Sequence, residues 1–121
     1  LDRGFAALVE DLHQRGMLES TIVVLMTEFG RTPRINGMRG RDHWSRAFSV
    51  AFCGGGVRGG QLIGASDAEG AFPRSRPVTP EDLAHSIYVL LGIDPERELP
   101  SASGRRIQIV RNGQMIRELT S

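Results

Sequence analysis

Lysine is absent: all 15 basic residues of this 121-residue chain are arginine. Genome base composition can produce that bias without any functional cause. Cys53 is the only cysteine, which excludes an internal disulfide and any paired-cysteine metal site. No apolar stretch reaches the ~20 residues that a membrane-spanning helix needs, and no secretory leader pattern is visible. The formal net charge of +1 leaves no global field to draw the chain to nucleic acid or to a membrane. A single tryptophan and the lack of an aromatic–basic stripe also argue against a nucleic-acid binder. There are no repeats and no low-complexity tracts. Ser–His–Asp order and zinc-protease motifs are missing too, so the familiar hydrolytic constellations are not encoded here.

What remains is a composition that folds. Forty per cent of the residues are hydrophobic, and 121 residues suffice for one domain with a modest core. The chain opens on Leu1, inside what reads as a helix already in progress. That beginning points to a piece of a longer protein.

Phe5, Leu8, Val9 and Leu12 recur at helical spacing behind Asp2, a possible N-cap, and Gly16 can end the helix. Residues 21–27 are almost continuously apolar and β-branched, as in a parallel strand covered on both faces. Residues 47–53 read as a second buried strand. Gly54-Gly55-Gly56-Val57-Arg58-Gly59 matches the letters of a dinucleotide loop, but no helix follows, so a turn is the better reading. Thr79-Pro80-Glu81-Asp82 starts a helix whose buried stripe is Leu83, Ile87, Leu90 and Leu91. Gly92 and Pro95 stop it. Asn112-Gly113 predicts a hairpin, over about 105–119, between strands at 106–110 and 115–119. Helices alternating with buried strands indicate an α/β fold, a layered sheet with flanking helices plus this C-terminal hairpin.

Between the two expected strands, residues 28–45 have no clear period; so long a loop is usually functional or disordered, and the clustering of its charged residues favours function. From Phe29 to Gly60 there are six arginines (Arg31, Arg34, Arg39, Arg41, Arg46, Arg58) and one acid, Asp42. Glu28 follows the apolar run. A buried carboxylate needs a cation, either a metal ion or a nearby guanidinium such as that of Arg31. Asp42 and His43 add a carboxylate and an imidazole that could share one ion, or one could orient the other; a solvated Asx turn is the alternative. Mixed oxygen and nitrogen donors suit zinc or manganese, and calcium or magnesium if oxygens dominate. Three ligands do not close a site, so others must come from elsewhere. Arg31 and Arg41 could hold an anionic group through their forked donors. His13 and His85 lie off the apolar stripes of their helices and read as solvated. Cys53 reads as a small buried hydrophobe.

The order of these blocks resembles sulfatases and related hydrolases of the alkaline phosphatase superfamily, where a similar strand ends in metal ligands. Glu28 stands where that family has Asp, and Phe29 where it has His or Asn. The closer resemblance is to a bacterial branch of the superfamily, a domain of unknown function. That branch carries E-F-G-R-T-P, G-R-D-H, G-G-G-x-x-G-G and D-L-x-x-x-I-x-x-L-L-G-I/L-D. Residues 28–33, 40–43, 54–60 and 82–94 match these blocks in order. The resemblance implies that 1–121 is a single C-terminal segment of a larger, usually exported or periplasmic protein. It implies a metal-dependent hydrolase of sulfate or phosphate esters whose nucleophile and remaining carboxylates lie upstream. The fragment alone would then be inactive, and unpaired sheet edges would favour self-association. The rival reading is a non-catalytic module of the same fold that recognises an anionic glycan or a partner protein.

Overall fold

The computed structural model describes residues 1–120; Ser121, the last residue of the expected segment, lies outside the described residues. The chain forms two compact units, Leu1–Pro77 with Thr120, and Val78–Leu119. Both mix helices with short antiparallel strand pairs, an α/β composition. No described helix is long and apolar enough to cross a membrane.

The first unit opens with helix α1 (Asp2–Gln14). Asp2 does not cap it; Leu1 occupies the N-cap position and Asp2 sits in the first turn, where its charge suits the helix dipole. Gly16 does close it, at φ +68°, with the Met17 amide donating to the Leu12 carbonyl. Strand β1 (Val23–Leu25) follows. It is neither parallel nor fully buried. It pairs antiparallel with a later strand, Ala51–Cys53, in the register Val23↔Cys53 and Leu25↔Ala51. A continuous apolar run reports that two faces can be covered but cannot report the direction of the neighbouring strand.

Between these strands the chain makes a second small ladder, β2 (Gly30–Arg31) with β3 (His43–Trp44). The strand Ala51–Cys53 is β4. The glycine run behind it serves close approach. A Cβ on Gly54 would strike the Thr21 and Leu18 carbonyl oxygens, and the Gly55 amide donates to Leu18 at 2.8 Å. β5 (Ala65–Ser66) and β6 (Pro73–Ser75) form a third pair.

In the second unit, helix α2 (Pro80–Leu90) carries the expected capping box: the Thr79 hydroxyl accepts from the Asp82 amide, and the Asp82 carboxylate accepts from the Thr79 amide. The expected stripe is only half-buried, and Leu91 is exposed. The fully buried side chain is Ser86, whose hydroxyl donates to the Asp82 carbonyl (2.7 Å) and accepts from the Ile116 amide (2.9 Å). The other buried residues of this unit are Pro95, Val110, Ile116 and Leu119.

The hairpin expected at 105–119 is displaced. Strand β7 (Glu98–Pro100) pairs with β8 (Arg106–Gln108), and the turn lies between them. Asn112 does take the left-handed conformation (φ +60°), but it turns the chain toward α2 rather than into a strand. A Cβ on Gly113 would strike the Glu81 carbonyl, and the Gln114 amide donates to the Asp82 carboxylate at 2.8 Å. The turn signal was therefore real, and its partner was a helix.

No residue from Leu1 to Pro77 is buried. The chain exposes 9231 Å². Two fully separate compact units of these sizes would together expose only about 7,700 Å². The excess, about 1,500 Å² by the same scaling, is surface that a well-covered fold of this size would hide.

Candidate functional site

The site is the β2–β3 hairpin and the chain leading into it. After β1 ends, the Thr27 hydroxyl donates to the Phe29 carbonyl (2.8 Å) and turns the backbone. Gly30 is obligatory, because a Cβ there would strike the Ala47 carbonyl. The ladder sets Arg31 directly opposite His43, and Gly30 opposite Trp44. Opposed residues on one face of an antiparallel pair lie close enough for their side chains to act together.

Phe29 joins them. Its ring stacks on the His43 imidazole, with centroids 3.9 Å apart and planes 26° from parallel, and the Arg31 guanidinium carbon lies 5.6 Å from the same ring. Trp44 pins the far end: its indole N–H donates to the Ala71 carbonyl (2.6 Å), and it meets Phe72 edge-on at 5.7 Å. His43 itself is exposed, one face of its ring on Phe29.

The loop between the strands is tied internally. The Thr32 amide donates to the Asp42 carbonyl (3.0 Å), and the Asp42 amide donates to the Thr32 hydroxyl (3.1 Å). Asn36 makes three side-chain bonds. Its Oδ1 accepts from the Met38 and Gly40 amides, each at 3.0 Å, and its Nδ2 donates to Asp42 Oδ1 at 2.9 Å. Arg41 Nη1 donates to the Thr32 carbonyl (2.6 Å) and to the Pro33 carbonyl, and Arg31 Nη1 donates to the Arg41 carbonyl (3.2 Å).

These contacts revise the expected roles. Glu28 is exposed and makes no hydrogen bond or ion pair among the described residues, so it is not the buried carboxylate that would require a cation. The reason is local: β1 ends at Leu25, and the chain from Met26 to Glu28 is already exposed. Asp42 and His43 are neighbours, but Asp42 is engaged by Asn36 and His43 by Phe29. Among the described residues no three His, Cys, Asp or Glu side chains gather where they could hold an ion. The donor set Glu28, Asp42, His43 therefore does not by itself fit a resident zinc, manganese, calcium or magnesium ion. Arg41 gives one nitrogen, Nη1, to two loop carbonyls, and Arg31 gives its Nη1 to one, so each guanidinium keeps further donors.

Outside the hairpin, Cys53 is half-buried and burial pushes its thiol pKa up, the opposite of an activated nucleophile. His13 is exposed, as expected; His85 is half-buried, with its Cβ facing Gly113. Phe29 was noted only as a departure from a ligand position, and Thr32 and Asn36 were given no role by pattern reading. Asn36-Gly37 is itself a turn signal, and it could have identified the residue that organises the loop.

A family profile described as a protein of unknown function, DUF1501, matches residues 1–120. No curated protein and no solved structure shows a significant match to the chain.

Proposed function

The chain belongs to the DUF1501 family, and we propose that it is the C-terminal part of a sulfatase- or phosphatase-like hydrolase acting on sulfate or phosphate esters. In this reading the larger protein has the layered, alkaline-phosphatase-like sheet that the ordered sequence blocks resemble, and it works outside the cytoplasm. The observation that carries the proposal is the cross-strand pair Arg31↔His43, with both side chains against Phe29. A guanidinium with free donors can hold the anionic oxygens of the ester. The exposed His43 ring on the facing strand, in its imidazolium form, can pass a proton to the leaving oxygen as a nucleophile from elsewhere in the protein attacks phosphorus or sulfur, and the ring is left neutral. Asp42, bonded to Asn36, holds the loop that presents His43. A divalent ion in the complete site would need ligands from outside these residues, so no step is drawn through one.

The test is hydrolysis of an aryl phosphate and an aryl sulfate by the protein that carries this segment. His43→Ala and Arg31→Ala are each expected to lower kcat/KM by about 100-fold or more, while the 121 residues alone stay at background. Absence of turnover for both esters, with each of the four ions supplied, would sink the hydrolase reading. The lack of a three-ligand cluster favours one alternative, a binding module of the same fold. It would hold a sulfated glycan through Arg31 without turning it over.

A further inference from the structure

We propose that the tip of the β2–β3 hairpin, residues 34–39, is a membrane-contact finger that rests on the anionic surface of a lipid bilayer. The tip reads Arg34-Ile35-Asn36-Gly37-Met38-Arg39. Ile35 is 65% exposed and Met38 89%. Arg34 and Arg39 are exposed and make no side-chain bond among the described residues. The single acid from Phe29 to Gly60, Asp42, is already engaged by Asn36, so the tip offers cations without a counter-charge.

Arg39 sharpens the argument. It sits at φ +62°, in the left-handed region that glycine adopts freely, with Gly37 and Gly40 close by in sequence. A long cationic side chain thus stands at a backbone position that disfavours it. The tip is also pre-formed. Asn36 clamps the Met38 and Gly40 amides, and the Asn36 amide donates to the Gly40 carbonyl at 2.8 Å. Docking would therefore order little new chain.

A bilayer fits this chemistry better than a protein or a polyanion does. Six residues are far fewer than the ~20–30 a side that a stable protein interface engages. A nucleic acid or sulfated glycan would take the two arginines and leave Ile35 and Met38 in water. At a lipid boundary the apolar side chains enter the acyl edge while flanking cations meet headgroup phosphates.

Co-sedimentation with vesicles tests the proposal, using phosphatidylcholine alone and phosphatidylcholine mixed with phosphatidylserine. Binding to the mixed vesicles is expected to exceed binding to the neutral ones and to fall with salt. Arg34→Gln/Arg39→Gln should lose about tenfold in affinity or more. Ile35→Asn/Met38→Asn should lose several-fold, and every substituted side chain is exposed, so folding is not at stake. The control Arg3→Gln/Arg105→Gln removes the same net charge from exposed positions outside the finger and should bind as the parent does. The proposal is overturned by equal binding to both vesicle types, or by a control that loses as much as the tip variant. Retention of full binding by Ile35→Asn/Met38→Asn would also overturn it, since that marks a general polyanion site.

Discussion

Removing the Asn36 side chain should unfasten the loop that presents His43 while leaving the two short strands in place. Asn36→Ala deletes three hydrogen bonds: those accepted from the Met38 and Gly40 amides and the one donated to Asp42. All three are exposed, so the freed groups can turn to water and each bond is worth well under its buried value. Together they should contribute about 2 kcal/mol to local order, roughly a 30-fold change in the ratio of ordered to open loop. Asn36→Asp divides the effect. It keeps an oxygen for the Met38 and Gly40 amides but loses the donor to Asp42 and sets two carboxylates within hydrogen-bond distance. The amide side of the clamp should survive there, and the Asp42 side should open. Amide hydrogen exchange and nitrogen-15 relaxation over 36–42 measure both halves. If Met38 and Gly40 exchange in Asn36→Ala at the parent's rate, with unchanged order parameters, the loop is held by something other than Asn36 and the reasoning fails.

Two further outcomes follow from burial. Ser86→Ala should destabilise the second unit by about 2 kcal/mol, because the Ile116 amide loses its acceptor at a buried position. The Asp82 carbonyl loses less, since a helix carbonyl there keeps its backbone bond. Chemical denaturation reads this, and a change near zero would mean that the Ile116 amide finds another partner. The 121-residue chain should also associate with itself as concentration rises, because no residue from Leu1 to Pro77 is buried and the cleft lined by Phe5, Val9, Leu18 and Cys53 is open. Analytical ultracentrifugation showing a single monomeric species at high concentration, with no binding of an apolar dye, would refute that expectation.

The site was partly legible in the sequence. The cluster of arginines, with Asp42 and His43 in one stretch, singled out residues that the structure folds into the β2–β3 hairpin. Its inner geometry was not legible. Phe29 and His43 stack only because a two-residue ladder brings Arg31 opposite His43 across a loop of 11 residues, 32–42. Strands that short carry no period of their own to reveal it. Glu28 was read as buried because it follows an apolar run, but burial is decided by what lies against the run, and a linear pattern does not contain that information.

The sequence by itself determined the features whose partners lie within one helical turn. These are the capping box at Thr79 and Asp82, the proline at the first turn of α2, the glycine that closes α1, and the left-handed Asn112. Each depends on the φ preference of one residue or on a bond spanning a few residues, so local chemistry suffices. Tertiary structure alone decided which strand β1 pairs with and in which direction, and that Asn112-Gly113 abuts a helix. It also decided that Ser86, rather than the leucine stripe, would be the most buried point of α2. Those outcomes depend on segments tens of residues apart competing for one surface. Their free energies are differences between packed alternatives, and no short window of sequence encodes such a difference.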